Sequence, residues 1–277
     1  YELFFMDSVP DSAACNLSVK LAVDHGFGSL RGFVNGVLRN IARNRDGIKY
    51  PDKNTSPLEY YSVEYSVPVE LVEILLQDYD SETVDRILGS SYEMRPTSIR
   101  VNTDRISVDE VERKLETAGI ETVRGSLNDT SLLIKGYDYV RRIPGFMDGE
   151  FVVQDQSSCL AVRAAGIQNG DLVVDVCAAP GGKTMYAASL AGQTGRVISR
   201  DLTENKTELI EENVDRLGLT NVTVEAWDAR DLDENLVGKA EGVIADLPCS
   251  GLGIMGRKND IKYNVTGDSI DELAQLQ

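Results

Sequence analysis

The stretch Leu172 to Thr184, LVVDVCAAPGGKT, constrains this chain more than any other. An apolar run ending in an acid (Leu172, Val173, Val174, Asp175, Val176) leads into a small-residue loop, Cys177 to Gly182, after which Lys183 and Thr184 open a helix. Strand, glycine-bearing turn and helix in that order bring bare backbone against a nucleotide-like ligand in α/β domains. The spacing is neither G-x-G-x-x-G nor GxxxxGK[ST], and Pro180 stiffens the turn. A pyrophosphate is therefore a poor match. A neutral or cationic amino-acid nucleoside suits such a loop better, with S-adenosylmethionine the obvious candidate. A tight turn in some other doubly wound domain is the alternative.

The segments that follow repeat the pattern. A helix is predicted from Thr184, a strand over Arg196–Ser199 ending at Asp201, a helix over Lys206–Leu217 closed by Gly218, and strands over Val222–Ala226 and Gly242–Ala245. This is a parallel α/β sheet. Asp201, Asp228 and Asp246 each sit just past a strand end, where open α/β sheets bind ligands. Asp201 is placed to accept the ribose hydroxyls of an adenosine. One such acid is most often a turn or helix cap; three in successive units after this loop favour a ligand site. In DLPCSG, Asp246 and Cys249 flank a proline at a strand end. A thiol there can be activated if its thiolate is stabilised, although an isolated cysteine is more often inert.

Upstream, residues 1–50 read as helices. Asp11 or Ser12 caps one running toward Asp24, with Leu17 and Leu21 on its inner face. A second starts at Ser29 and carries a stripe of Phe33, Val34, Val37, Leu38 and Ile41. Arg31, Asn35, Arg39 and Arg43 form a polar ridge along it, either a solvated face or a phosphate-contacting edge. Residues 46–66 read as a linker; Ser66 then caps a helix through Leu71, Val72, Ile74 and Leu75, and a short helix covers about Glu82 to Leu88. Ser98–Val101, a helix capped by Ser107 and Glu110 and closed by Gly119, and strands Glu121–Arg124 and Leu132–Lys135 suggest a small ferredoxin- or RRM-like module.

Composition narrows the partners. The four cysteines (15, 159, 177, 249) are scattered and there is one His, which argues against a zinc site and against a disulfide scaffold; no metal is expected. Reduced thiols point to the cytoplasm. No apolar run approaches the roughly 20 residues that span a bilayer, and no membrane partner is expected. The net charge of −17 sits badly with a nucleic-acid binder. It is uneven, however: residues 1–60 balance at seven Lys and Arg against seven Asp and Glu, whereas 151–277 hold eleven against twenty. Any RNA must be held by local basic patches.

Taken in order, DVCAAPGGKT, RDLTENK, NVDRLGLTNV, WDAR, DLPCSGLG and RKNDIKY resemble the RNA cytosine-C5 methyltransferases, and most the Sun/Fmu (RsmB-type) enzymes of small-subunit ribosomal RNA. FGSLRGFVNGVLRNI is similar to the last helices of the NusB-like RNA-binding domain of that family, and RPTSIRVNT and FVVQDQSS to its joining segments. The resemblance implies a Rossmann-like S-adenosylmethionine-dependent methyltransferase domain over 149–277, preceded by part of a NusB-like domain over 1–50, a helical linker over 51–92 and the α+β module over 93–148. It implies cofactor contact at Cys177, Ala178, Ala179, Pro180, Gly181, Gly182 and Lys183. Asp201 is expected at the ribose, Asp228 near the adenine and Asp246 at the methyl-donor and base pocket. Arg257, Lys258 and Lys262 are expected near the RNA, as are Arg31, Arg39 and Arg43. The implied reaction is methylation of C5 of a cytosine in 16S rRNA by a monomer. A thiolate adds to C6, the base edge is held by Asp246, and the target base leaves its stack.

One departure stands out. In the family the attacking cysteine lies in a Thr-Cys motif beyond the Pro-Cys loop, whose own thiol assists product release. The chain reaches Gln277 without that motif. It is therefore expected to be an internal fragment, with the main nucleophile beyond Gln277, Cys249 in a release role, cofactor binding that is weak or absent, and no methyl transfer by itself. The competing expectation is a non-catalytic NusB-like RNA-binding or ribosome-assembly factor with a degenerate methyltransferase body.

Overall fold

The computed structural model describes residues 1–277 and divides into two compact units, residues 1–89 and 90–277. The first is all helix: α1 (Glu2–Phe5), α2 (Asp11–Asp24), α3 (Arg31–Asn44), α4 (Pro57–Glu64), α5 (Val69–Asp78) and α6 (Ser81–Ser90, running into the second unit). The inner face of α2 is Ala14 and Cys15, packed with Leu3 against Leu38, Ile41 and Ala42 of α3. The expected inner pair, Leu17 and Leu21, is 59% and 60% exposed instead. The small side chains win because they let α2 and α3 approach closely. The predicted stripe of α3 splits: Leu38 and Ile41 face inward, whereas Phe33 is 69% exposed. Neither helix start has the expected hydroxyl or carboxylate cap, since Pro10 and Pro68 occupy the N-cap positions of α2 and α5 and Ser66 sits at φ 48 outside α5. Part of the predicted linker is α4. Its Tyr61 is fully buried and donates to the Ser81 carbonyl at 2.8 Å, which gives this stretch a core of its own.

The second unit contains two four-stranded sheets. The first is antiparallel, in the order β2-β3-β1-β4, from β1 (Thr97–Val101), β2 (Glu121–Arg124), β3 (Ser131–Lys135) and β4 (Phe151–Val153). One helix, α7 (Val108–Thr117), starts in the predicted capping box of Ser107 and Glu110 and buries Val111 and Leu115 against the sheet. The fourth strand pairs Val153 with Ile99 and Phe151 with Val101, so this ferredoxin-like sheet runs past residue 148, where the sequence placed its end.

The chain continues through α8 (Gln156–Ala164) into the parallel sheet, order β7-β6-β5-β8. Its elements are β5 (Leu172–Asp175), α9 (Gly182–Ala191), β6 (Arg196–Asp201), α10 (Glu204–Leu217), β7 (Val222–Ala226) and β8 (Gly242–Ile244), with α11 (Gly267–Leu276) at the end. This is Rossmann-like: strands follow one another outward from β5 and then return to its other side. Val173, Ala187, Ala188 and Val197 make its core on one face, and Met185, Ile210 and Val214 lie in a second cluster.

Arginines join the two sheets. Arg216 of α10 donates to the carbonyls of Phe146 (2.7 Å) and Phe151 (3.1 Å) and lies 4.2 Å over the Phe146 ring. Arg100 of β1 lies 4.5 Å over the ring of Tyr186 in α9. The small sheet is thereby held against the helices that flank the nucleoside-type loop.

Candidate functional site

The strand order reverses between β5 and β8, and the carboxyl ends of those two neighbours frame an open cleft of about 180 Å³. Cys177, Ala178, Ala179, Pro180, Gly182 and Lys183 line one side, Asp246 the side beyond β8, and Gln154, Asp155 and Ser158 the rim that comes from β4 and α8.

The loop after β5 is tied down on every side. Ala178 N–H donates to the Arg200 carbonyl (2.9 Å), and Asn213 Nδ2 donates to the Pro180 carbonyl (3.0 Å). The Ala179–Pro180 bond is cis, and Gly181 has φ 101, with Met185 Cε 2.5 Å from where a Cβ would stand. Only glycine fits there without strain. Asp175 is fully buried beneath the loop. Its Oδ2 accepts from Thr184 Oγ1 at 2.8 Å, and Thr184 in turn meets Ser199 Oγ at 2.7 Å. Burial pushes the Asp175 carboxyl up to about 6, against the pull of the Thr184 hydrogen bond and the Lys183 charge. Its Oδ1 has no partner.

Asp201 serves the same loop. Oδ2 accepts from Ala179 N–H (3.0 Å), and Oδ1 from Leu202 N–H (2.8 Å) and Lys206 Nζ (2.9 Å). Burial would raise its pKa, but these three donors outweigh it and hold the carboxyl below the usual range. A carboxylate has about four lone-pair sites, and one of those in use is held by Lys206, whose side chain is 52% exposed. Asp228 lies on the turn after β7, where Arg230 clasps both its oxygens and holds it down to about 2. Neither Asp201 nor Asp228 lines the cleft.

Asp246 does, and it forms an ion pair with Lys183 across the mouth. Cys249, three residues on, is exposed on an irregular loop outside the lining. Cys177 is half-buried, and burial pushes its thiol up, which disfavours a thiolate there.

The six expected RNA contacts fall in three settings. Arg31, Arg39 and Arg43 are exposed along α3, with Arg39 Nε bonded to Asn35 Oδ1 at 2.9 Å. Arg257 pairs with Asp155 at 3.6 Å, which brings the basic stretch to the cleft rim, and Lys258 is exposed beside it. Lys262 is 5% exposed, with its ammonium 5.5 Å from the Tyr92 ring and 5.7 Å from that of Tyr263, so it is not offered to a phosphate.

Sequence reasoning missed two features. Arg200 is buried between Glu225 (2.8 Å) and Asp233 (2.6 Å), 4.4 Å over the Trp227 ring, and braces the end of β7. Gln154, one residue past β4, faces the cleft although it reads only as part of a joining segment. No group of three or more His, Cys, Asp or Glu is placed to hold a metal ion. No helix is long and apolar enough to cross a membrane.

Comparison with known proteins agrees with this architecture. Residues 1–43 match the NusB family, 67–140 the ferredoxin-like domain of RsmF/B-like methyltransferases, and 163–277 the 16S rRNA methyltransferase RsmB/F family. Over its whole length the chain is 35% identical to the probable ribosomal RNA small subunit methyltransferase B of Bacillus subtilis and 32% identical to the ribosomal RNA small subunit methyltransferase B of Vibrio cholerae. It spans 62% of the length of each of these relatives. Among solved structures it is similar to PH0851, with TM-score 0.80 and 28% identity over 99% of this chain and 61% of that one. A methyltransferase homologue from Pyrococcus horikoshii matches with TM-score 0.60 and 26% identity over 73% of this chain and 66% of that one. NusB-like helices, the ferredoxin-like sheet and the Rossmann-like sheet are thus matched in this order along the chain, the arrangement in which it is similar to the RsmB/F methyltransferases.

Proposed function

We propose that the chain binds S-adenosylmethionine in the β5/β8 cleft and belongs to a protein that methylates C5 of a cytosine in small-subunit ribosomal RNA. The observation that carries this reading is the cleft itself. A rigid small-residue loop and a helix N-terminus face a strand-end Asp at the switch point, with Cys249 on the same loop as that Asp. The donor set suits an amino-acid nucleoside. Asp175 Oδ1 and Gln154 Nε2 are buried polar atoms without partners, one acceptor and one donor, and both residues line the cleft. The names of the relatives, ribosomal RNA small subunit methyltransferase B, support the substrate class.

In this reading the bound cofactor supplies an electrophilic methyl group. The residues of the chain do the rest by position. The loop from Cys177 to Lys183 holds the nucleoside, and Lys183 keeps Asp246 turned into the cleft. Asp246, with Lys183 on its Oδ2, presents its second oxygen to the edge of a flipped cytosine. Cys249, exposed three residues away, meets the same base and assists its release. Arg257 and Lys258 at the rim, and Arg31, Arg39 and Arg43 on α3, carry the phosphate contacts that an acidic chain needs. The walls of the cleft all lie within residues 153–246. Cofactor binding by this chain is therefore expected to be measurable.

The test has two stages. Calorimetry with the 277-residue chain should show S-adenosylmethionine binding that S-adenosylhomocysteine displaces; no binding of either favours the non-catalytic RNA-binding reading. The chain with all the sequence its gene encodes should then transfer labelled methyl groups to cytosine in small-subunit rRNA. Its Cys249→Ser form should accumulate as a covalent RNA adduct, whereas loss of every adduct would make Cys249 the attacking thiol.

A further inference from the structure

One donor of the cleft, Gln154, has as yet no ligand atom assigned to it. Gln154 is 5% exposed, and its Nε2 has no hydrogen-bond partner. A buried amide donor left unpaired is costly, so its position calls for an acceptor. Its orientation is set from the small sheet. Arg100 of β1 pairs with Val152 of β4, and Gln154 N–H bonds to the Ser98 carbonyl at 3.1 Å, so Gln154 lies diagonal to Arg100 on the same face. Arg100 Nε donates to Gln154 Oε1 at 2.7 Å. A guanidinium has no acceptor, so the amide has one possible orientation: oxygen on Arg100, nitrogen away from it. Arg100 cannot drift, being 4% exposed and stacked on Tyr186.

The free Nε2 stands beside the start of α9. It is 3.8 Å from where a Cβ on Gly182 would sit, and Gly182 is the first residue of that ten-residue helix. The first amides of a helix lack intrahelical acceptors and carry the positive end of its dipole. Two kinds of donor therefore converge on one corner of the cleft, and this corner suits a small anion. The phosphate-loop spacing is absent from the sequence, and a carboxylate fits both the size and the charge.

We propose that Gln154 Nε2, together with the N-terminus of α9, binds the carboxylate at the amino-acid end of the nucleoside ligand, with Arg100 as its positioning residue. The proposal rests on the S-adenosylmethionine reading and deepens it. It makes the ferredoxin-like module part of the cofactor site: Arg100 and Gln154 both come from its strands or their ends, and they select the amino-acid end of the ligand while the loop holds its nucleoside.

The test compares two ligands that share the adenosine thioether and differ in the amino-acid end. Binding of S-adenosylhomocysteine and of 5′-methylthioadenosine is measured by calorimetry on the 277-residue chain and its variants. Gln154→Met keeps the volume and removes the donor; it should weaken S-adenosylhomocysteine about tenfold and leave methylthioadenosine within about twofold. Gln154→Glu should weaken S-adenosylhomocysteine further, because it sets a carboxylate against a carboxylate. Arg100→Lys should reproduce part of the Gln154→Met loss and add little to it in the double variant, as expected for residues acting in series. Methylthioadenosine binding reports that each variant is folded. Equal losses for both ligands, or undiminished S-adenosylhomocysteine affinity in Gln154→Glu, would overturn the proposal while leaving the methyl-donor reading intact. A wild-type chain that binds neither ligand sinks that reading, and the role of Gln154 with it.

Discussion

The two loops that frame the cleft are built in opposite ways. The loop after β5 is buried and braced. Asp201 accepts from its backbone, Asn213 donates to it, Asp175 lies beneath it, and Gly181 takes a conformation that few other residues tolerate. The loop after β8 is irregular and exposed; the Asp246 side chain is 59% exposed and joined to its surroundings by the Lys183 ion pair. A cofactor can be bound tightly only where donors are already in place, because ordering them at binding would subtract from affinity. In the proposed reaction the substrate brings a base out of its stack, and an exposed, loosely held wall leaves room for it. The contrast teaches that changes to the first loop should show up in stability, and changes to the second in function.

The largest effect is expected for Asp201→Ala. It leaves the amides of Ala179 and Leu202 without their acceptor, at a cost of about 3 kcal/mol, read as a fall in the urea midpoint. If the variant is as stable as wild type, the loop is not braced as described. Next comes Asp175, whose raised pKa fixes the sign of a pH effect. The folded state keeps this proton to about pH 6, whereas the unfolded chain releases it near 3.8, as an ordinary aspartate does. Stability should therefore fall as pH rises from about 4 to 6, by on the order of 2–3 kcal/mol. Asp175→Asn, which keeps an acceptor for Thr184, should lose that decline; urea titrations at pH 4.5 and 7 decide it. Gly181→Ala should cost about 2 kcal/mol, from the left-handed backbone and the contact with Met185.

Across the cleft the stability effects shrink. Lys183→Met removes an ion pair that is largely exposed on its acid side and should change stability by less than about 1 kcal/mol. In the reaction proposed for the chain with all the sequence its gene encodes, it should nonetheless lower methyl transfer, because Asp246 loses its anchor. Cys249→Ser, at an exposed position, should melt within about 0.5 kcal/mol of wild type. A large loss of stability there would mean that the second loop is as constrained as the first, and the contrast would dissolve.

How much of this could be read from the chain follows from the range of each interaction. Local signals held. The capping box at Ser107 and Glu110 is present, Gly119 and Gly218 end their helices with positive φ, and every strand of the parallel sheet lies within a residue or two of its predicted place. These depend on a few consecutive residues. The inner face of α2 was misread because hydrophobicity alone favours Leu17 and Leu21, while the neighbouring helix favours the small Ala14 and Cys15. Lys262 looked like a phosphate contact because a basic stretch does not reveal that two tyrosines cover one of its members.

The sequence by itself determined the loop, its place between strand and helix, and the acids at the strand ends, since backbone conformation and strand termination are written in adjacent residues. Only the tertiary structure decided what each of those acids is bonded to. Asp246 meets Lys183, Asp201 meets Ala179, Leu202 and Lys206, and Asp228 meets Arg230. It also decided that Gln154, more than twenty residues upstream of the loop, stands beside Gly182 with its amide turned by Arg100. The physical reason is that hydrogen-bond partners are chosen by proximity in space. Strand register and sheet order set that proximity, and no local pattern encodes it.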